Sequence, residues 1–383
     1  MRWIFAFIIL VHGLIHAMGL VKAFGFAELS QLTQPISRPV GILWLVAGLM
    51  TLATVVALFL WPRGYWALGA AAVVLSQVVI LSSWHDAKFG TIANVILLAG
   101  VIYGYLTQGP LSFRAEYDEA TTAGLSRSRP PPELLTEADL AKLPDPVARY
   151  VKATGFVGKP RVQSYRLRFT GRIRSDPGSA WMPFEADQQS FVEPKVRLFW
   201  MRATMKGLPV EAFHHLADGA ATMRVKALGA IPLVNASGPV MDRSESVTVL
   251  NDMCLLAPGS LLDPSIRWEA VDAHTAIARF THGAHTVTAT LLFGDDGLLT
   301  NFISDDRSRS SSDGKSFTQL RFSTPVREYR TFGPYRLAAF GEGRWHTSDG
   351  DFAYGEFIIQ HVEYNVQPER SAAELSLKPA RAY

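Results

Sequence analysis

The sequence predicts a membrane bundle of four transmembrane α-helices, followed by an α+β domain in which a curled antiparallel β-sheet, a half-barrel, covers one helix. The first 108 residues contain four long apolar runs. The polar segment SSWHDAKFG at 82–90 separates the last two runs, as a helical hairpin requires where it meets water, because charge is costly in hydrocarbon. From residue 161 onward, apolar and polar residues alternate along many short segments, which is typical of half-buried strands.

The four apolar runs cover residues 3–21, 40–60, 65–83 and 91–106. A helix needs about 20 residues to cross about 30 Å of hydrocarbon. The first run is longer than the core of a usual signal peptide, and three more runs follow it, so we expect an uncleaved anchor. Tryptophans near the ends of the runs are typical of an interfacial aromatic belt. The sequence therefore predicts a multi-pass protein of the cell membrane.

Four spans place the N-terminus and the C-terminal domain on the same side of the membrane. The basic residues near the span ends do not decide which side this is. Arg2 ahead of the first span weakly favours the cytoplasm, and the orientation stays open. The basic residues are divided evenly, with Arg2, Arg63 and Arg114 on this side and Lys22, Arg38 and Lys88 on the other.

Composition excludes some classes of function. The formal charge is +3, from 37 basic and 34 acidic residues, and the basic residues are scattered along the chain. A nucleic-acid-binding protein needs a concentrated basic face, so we expect no nucleic-acid partner. Cys254 is the only cysteine, which excludes an intrachain disulfide and a multi-cysteine metal site. The oligomeric state, the cofactor and any catalytic activity are left open.

The domain plan follows from composition shifts after residue 108. Residues 109–133 are rich in small, polar and charged residues, which predicts a linker, and its three consecutive prolines are expected to be stiff and extended. The β domain is expected at 134–370, with two short helices at its start, and residues 371–383 form a tail. The central helix is expected at 245–256, where Val249, Met253 and Leu256 share one face.

Five motifs of the β domain are distinctive: LPDPVARY at 143–150, WMPFEADQ at 181–188, FW at 199–200, IRWE at 266–269 and FAYG at 352–355. With these motifs the domain resembles a large, uncharacterised bacterial domain family over most of residues 140–366, which implies a location in the bacterial inner membrane. The resemblance implies no established activity, so no catalytic residue is carried over from it.

The membrane half contains the motifs HGLIH at 12–16, QPIS at 34–37 and WHDAKFG at 84–90. With these motifs it resembles the DoxX-like four-helix segments that are often fused ahead of that domain. A curled antiparallel sheet over one helix is also similar to the half-barrels of bacterial lipoprotein carriers, which hold acyl chains. This second likeness is an analogy of fold, and fold alone does not decide function.

Five polar residues of the membrane half form a candidate site. His12 and His16 lie four residues apart on a helix and therefore project from one face. His85 and Asp86 follow the third span and Asn94 opens the fourth, on the membrane side opposite the C-terminal domain. Such a cluster would serve as a proton relay, a metal site, or a quinone or haem contact. The alternative is that the histidines only bond between helices and that residues 85–88 only mark the interface.

Five residues of the β domain are candidates for an apolar ligand site: Trp181, Phe184, Trp200, Met205 and Trp268. A concave sheet with adaptable aromatic and methionine side chains would hold a lipid tail or another apolar small molecule. The alternative is that these side chains are an ordinary hydrophobic core. In that case the domain would be a scaffold or interaction module with a filled interior.

The remaining polar groups favour structural roles. His214 and His215 are adjacent in a strand, so they point to opposite faces and do not form a metal pair. Glu185 and Asp187 share a face, but this spacing alone is weak evidence for a pair of hydrolase carboxylates. Ser76 and Gln77, in the middle of the third span, are expected to form hydrogen bonds between helices. His274, His282 and His285 flank a predicted hairpin in the β domain and are only a weak candidate for a metal site.

Overall fold

The computed structural model describes residues 2–127, 133–311 and 313–366. The chain divides into two compact units, with the division between Glu116 and Tyr117. The expected tail at 371–383 and the three prolines of the expected linker lie outside the described residues.

The first unit is helical. Four of its helical segments are long and apolar enough to cross a membrane by length and composition, which confirms the predicted architecture of this half. The first of the four segments is interrupted at His16, between α1 and α2. The helices are α1 (Arg2–Ile15), α2 (Ala17–Phe24), α3 (Arg38–Leu60), α4 (Tyr65–Ser82), α5 (Trp84–Ala87), α6 (Gly90–Gln108) and α7 (Phe113–Ser126), the last of which crosses the division between the units.

Small residues let α1 and α3 approach each other closely. A Cβ added to Gly48 would lie 2.9 Å from the carbonyl oxygen of Gly13 and 3.0 Å from the Cβ of His16. Glycines of this kind bring helix backbones together in apolar surroundings, where packing replaces the hydrophobic effect. The close contact places the His16 ring against α3.

The second unit is dominated by one sheet of 13 antiparallel strands, in the order β6-β5-β4-β3-β2-β1-β15-β14-β13-β10-β9-β8-β7. The hairpin turns expected at Asp296-Gly297 and Asp349-Gly350 lie between paired strands. The elements of the unit, after α7, are α8 (Glu137–Leu140), α9 (Asp145–Ala153), β1 (Ser164–Ile173), β2 (Met182–Phe191), β3 (Val196–Met205), β4 (Leu208–Ala217), β5 (Ala220–Ala227), β6 (Ile231–Ser237), α10 (Pro239–Leu256), β7 (Ile266–Asp272), β8 (Thr275–His282), β9 (His285–Phe293), β10 (Leu299–Ser304), β11 (Ser308–Ser310), β12 (Phe317–Gln319), β13 (Arg321–Phe332), β14 (Tyr335–Thr347) and β15 (Gly350–Tyr364).

The sheet curls around α10. This helix contacts β5 and β6 in one half of the sheet and β8, β9 and β10 in the other half, so both halves bend towards it. Fourteen of its 18 residues are buried, including residues on all of its faces. The edge strands β6 and β7 do not pair with each other in the described part of the chain. The predicted fold, a curled and open antiparallel sheet over one helix, is confirmed.

Two elements differ from their expected bounds. Within the expected linker, α7 forms because Tyr117, Thr121 and Leu125 recur every four residues and are buried on one face of a helix. The central helix begins at Pro239, six residues before its expected start. Pro239 suits the first helical turn, because a missing N–H is harmless there.

Candidate functional site

The helical unit contains a buried polar cluster at the break between α1 and α2. His12, His16, Ser76 and Asn94 are each at most 5% exposed. The Nε2 atom of His12 lies 3.0 Å from Asn94 Oδ1 and 3.2 Å from Ser76 Oγ. His16 Nε2 lies 2.9 Å from Ser76 Oγ, and His16 Nδ1 lies 2.9 Å from the backbone oxygen of His12. Three helices, α1, α4 and α6, therefore contribute to one site.

The cluster continues towards one end of α6. Asn94 Nδ2 donates to Gln77 Oε1 over 3.0 Å, and Gln77 Nε2 donates to Thr91 Oγ1 over 3.2 Å. Thr91 lies in the first turn of α6 and is partly exposed. A continuous chain of hydrogen bonds thus connects the buried imidazoles to the start of α6.

The structure brings together three of the five polar residues expected in this half: His12, His16 and Asn94. His85 and Asp86 are not in the cluster. The Asp86 carboxylate instead accepts hydrogen bonds from the backbone N–H groups of Thr33 and Gln34 over 2.7 and 2.9 Å. These bonds, with one from the adjacent His85 ring, lower the pKa of Asp86, so this carboxylate fastens the loop before α3.

Sequence reasoning treated Ser76 and Gln77 only as contacts between helices. Their position in the middle of an otherwise apolar helix was the available signal. The missing information was which other helix they face, because α6 supplies Asn94 from 18 residues further along the chain.

The β unit contains a second buried polar cluster, formed between α10 and the concave face of the sheet. Arg197 on β3 lies between two acidic residues of α10, with Nε 2.6 Å from Asp252 Oδ2 and a terminal nitrogen 3.3 Å from Glu245 Oε2. Gln188 on β2 donates to the same Asp252 oxygen over 2.7 Å. His214 on β4 lies 3.4 Å from Glu245. These contacts fix α10 to three consecutive strands.

The charges of this second cluster support one another. Burial would lower the pKa of Arg197, but the Asp252 and Glu245 carboxylates outweigh burial and raise it. Burial would raise the pKa of Glu245, but the hydrogen bond to His214 and the Arg197 charge lower it to about 2. Burial also raises the pKa of the Cys254 thiol on the same helix, so this thiol is unreactive while α10 is in place.

The concave side of the sheet is filled in this state. A cavity of about 10 Å³ beside Tyr165, Ser190 and Met253 has room for about one water molecule. A larger cavity, of about 290 Å³, is open to solvent at the hairpin tips and includes Lys195 and His282 in its lining. The space that an open half-barrel would leave for a ligand is occupied by α10.

Three of the five expected apolar site residues lie on the concave face. Phe184 is buried and pairs with Ala203, and Met205 shares the face of Ala203 because it lies two residues further along β3. Trp268 packs against the same core from the edge strand β7, and its Nε1 donates to the backbone oxygen of Leu261 over 3.1 Å.

The other two tryptophans lie elsewhere. Trp200 is on the convex face, because it is three residues from Ala203 in a strand without a bulge. It is buried there beside Phe213, whose ring contacts Tyr117 of α7. Trp181 precedes β2, and its ring lies 4.6 and 4.4 Å from the guanidinium groups of Arg172 and Arg174. A single cavity lined by all five residues is therefore not formed.

The weaker candidates are accounted for by local contacts. Glu185 forms an ion pair with Arg202 over 3.4 Å, and Asp187 forms one with Arg168 over 3.3 Å. His214 faces α10, and the neighbouring His215 stacks on Phe213 on the opposite face of the sheet, as alternation predicts. In the described ranges, no group of three or more His, Cys, Asp or Glu side chains is placed to hold a metal ion.

With this geometry established, comparison with known proteins gives the class of the β unit. Residues 133–357 match the model of a family of unknown function, DUF6544. This match covers more than half of the chain, so the chain belongs to that family. No curated protein matches the chain.

Several solved structures are similar to part of this chain. A domain assigned to outer membrane lipoprotein sorting from Vibrio parahaemolyticus is 11% identical, with a TM-score of 0.33, over 62% of this chain and 96% of its own. A DUF1329 family protein from Desulfovibrio piger is 11% identical, with a TM-score of 0.35, over 61% of this chain and 95% of its own. A LolA superfamily protein from Nitrosomonas europaea is 8% identical, with a TM-score of 0.29, over 62% and 97%. The fold assignment rests on the strand order and register described above.

Proposed function

We propose that this protein is a membrane-anchored binding module for a lipid or another apolar small molecule, and that the concave face of its sheet is the binding site. The observation that carries the proposal is the open sheet of 13 strands, whose concave face is one continuous apolar cluster around α10. Curled sheets that do not close leave an apolar interior of this kind.

In this proposal α10 is a plug that leaves its place when the ligand binds. The interior cavity of about 10 Å³ does not admit an acyl chain, so a ligand on the concave face replaces part of the helix. The concave side chains that would then meet the ligand include Phe184, Phe199 and Met201. A flexible thioether beside aromatic rings adapts readily to ligands of different shape.

The buried polar contacts of α10 suit a plug better than a permanent core. An apolar helix would bind the concave face strongly, whereas α10 buries Glu245, Asn251 and Asp252, each beside a polar partner on the sheet. Buried ion pairs contribute little net stability, because desolvation offsets their attraction. They do fix position, so the helix has one defined seat and a modest cost of leaving it.

The four apolar helices supply the anchor in this proposal, and they keep the β unit near a bilayer, where acyl chains are abundant. The DoxX-like character of these helices and the side of the membrane that carries the β unit stay predictions.

The proposal is tested by photocrosslinking the full chain, reconstituted in liposomes that contain a phospholipid with a diazirine in its acyl chain. We expect crosslinks on the β2–β3 peptide that contains Phe184 and Met201. A staple between α10 and the sheet gives the decisive comparison. The Asn251 amide donates to the Thr324 hydroxyl over 3.0 Å, so Asn251→Cys and Thr324→Cys, in a Cys254→Ser background, place two thiols on either side of the contact between α10 and the sheet. Loss of both free thiols on oxidation shows that the staple has formed.

The same stapled variant serves as its own control. Oxidation holds α10 in its seat and is expected to remove the β2–β3 crosslinks, and reduction is expected to restore them without any change of sequence. Equal crosslinking of the oxidised and the reduced variant would overturn the proposal that α10 is a plug. Absence of β2–β3 crosslinks in the parent and in both states would favour the packed-core alternative, an interaction module.

A further inference from the structure

We propose that the polar cluster of α1, α4 and α6 is a binding site for one proton, and that the proton sets the orientation of the two amide side chains that lead from the cluster to Thr91. This inference concerns the helical unit and is independent of the lipid-binding proposal. It rests on the hydrogen-bond inventory of five side chains: those of His12, His16, Ser76, Gln77 and Asn94.

The first arrangement has a charged His16. The backbone oxygen of His12 only accepts, so His16 Nδ1 carries a proton and donates to it over 2.9 Å. The amide oxygen of Asn94 also only accepts, so the single hydroxyl proton of Ser76 points to it over 2.9 Å. Ser76 Oγ can then only accept from His16 Nε2, 2.9 Å away. His16 therefore donates from both nitrogens, which is the imidazolium form.

A second arrangement satisfies the same contacts without the extra proton. If the amides of Asn94 and Gln77 both turn by 180°, the Asn94 nitrogen takes the place of its oxygen and donates to Ser76 and His12. The Ser76 hydroxyl proton is then free to donate to a neutral His16 through Nε2. An amide turn exchanges two groups of nearly equal size, so the surrounding helices need not move.

The two arrangements differ along the whole chain of bonds. With the proton bound, Gln77 Nε2 donates to Thr91 Oγ1 over 3.2 Å, and His12 donates to Asn94 through Nε2–H. Without the proton, Thr91 donates to Gln77, and His12 accepts from Asn94, so its own proton moves to Nδ1. Proton binding at His16 is thus transmitted to the start of α6 by a reversal of hydrogen-bond direction.

The surroundings limit the site to one proton. The His12 and His16 rings lie 4.6 Å apart, so two positive charges would repel strongly at this buried position. Among residues 2–127, the side chains seen in contact with these rings carry no charge. They include Trp44 of α3, whose ring lies 5.5 Å from His16, and Ser76 of α4 and Asn94 of α6, while Gly48 and Gly90 present only backbone.

The proposal is tested with the full chain labelled with ¹⁵N-histidine in lipid nanodiscs. Nitrogen chemical shifts distinguish the imidazolium from each neutral tautomer, and His12→Gln and His16→Gln assign the two rings. As the pH falls from 9 to 4, we expect His16 to gain its second proton. At the same pH we expect His12 to change from the Nδ1–H to the Nε2–H tautomer. A His16 ring that stays neutral throughout, or that protonates while His12 keeps one tautomer, overturns the proposal.

Two variants separate the switch from simple packing. Asn94→Asp replaces the amide by a group that only accepts, so His12 is expected to remain Nε2–H at all pH values. A neighbouring carboxylate is also expected to raise the ratio of imidazolium to neutral His16 about tenfold or more at a given pH. Ser76→Ala removes the acceptor of the extra proton and is expected to lower that ratio about tenfold.

Ser82→Ala is the matched control on the same helix, because the Ser82 hydroxyl donates to the backbone oxygen of Val79 outside the cluster. It is expected to leave both histidine rings unchanged. If Asn94→Asp fails to fold, Ser76→Ala still decides the question. An effect of Ser76→Ala no larger than that of Ser82→Ala contradicts the proposal.

Discussion

At the scale of single residues, Arg197 is the centre of the β unit's polar interior. It is buried between Asp252 and Glu245, so it neutralises charge that would otherwise be isolated in an apolar core. The same kind of pair on the surface, such as Arg168 with Asp187, is screened by water and contributes far less.

This difference gives the first prediction. Arg197→Ala leaves two buried carboxylates without their cation and is expected to destabilise the β unit by about 3–5 kcal/mol. Arg168→Ala is the control and is expected to cost about 0–1 kcal/mol. Urea unfolding of the detergent-solubilised chain, followed by tryptophan fluorescence, measures both. Equal losses in the two variants would show that the buried cluster does not hold α10 in place.

The second prediction concerns pH. The pKa of Glu245 is lowered from an ordinary 4.5 to about 2, so its contribution to stability is complete above pH 4.5 and is lost as the pH falls towards 2. A shift of this size corresponds to about 3 kcal/mol. The difference in unfolding free energy between the parent and Glu245→Gln is therefore expected to shrink across this window. The other carboxylates are the same in both chains, so their effects on the unfolding free energy cancel in this difference. A difference that is constant with pH would argue against an ionised Glu245.

At the scale of elements, α10 has two properties that rarely occur together. It is buried on all faces, and it carries charged side chains on some of them. Its sequence lacks a single long apolar stripe, because buried apolar and buried polar residues are mixed around the helix. This is why its hydrophobic pattern alone identified only the part after residue 245.

The third prediction uses the native cysteine of α10 as a reporter. Cys254 is fully buried in the resting chain, so its reaction with a small aromatic disulfide reagent is expected to be slow. If a lipid displaces α10, phospholipid liposomes should raise the reaction rate about tenfold or more over the chain in detergent with no lipid added. The Cys254→Ser variant supplies the zero-reaction control. A rate that does not respond to lipid would mean that the helix stays seated.

At the scale of the whole molecule, the chain combines an apolar helical unit and an α+β unit, each with its own buried polar cluster. The predicted topology of four spans puts the β unit on the membrane side of the N-terminus and the loop before α3 on the opposite side. This topology and the orientation of the protein in the membrane stay predictions.

The fourth prediction tests this topology by labelling. In a Cys254→Ser background, Ser348→Cys reports on the exposed β14–β15 turn, and Ser30→Cys reports on the exposed loop between α2 and α3. A membrane-impermeant maleimide is expected to label one of the two cysteines only in right-side-out vesicles and the other only in inverted vesicles. Labelling of both from one side would exclude four spans. The side that labels Ser348→Cys also establishes the orientation.

The features that the sequence determined by itself are those encoded over short distances. Apolar runs of 16 to 21 residues predicted the four helices, alternation predicted the strands, and Asp-Gly pairs predicted the turns, because each depends only on neighbouring residues. Residues Tyr117 and Leu125 of α7 show where this fails. Their helical spacing was present in the sequence, but polar composition concealed it.

Only the tertiary structure decided which polar residues meet. His12 finds Asn94 across 82 positions, and Arg197 finds Asp252 across 55. Strand alternation places Trp200 on one of two faces, but only the pairing register shows that this face is convex, away from Phe184. The physical reason is the same in each case. A buried polar group is stable only beside a partner, and the partner is chosen by how distant elements pack, which no local pattern encodes.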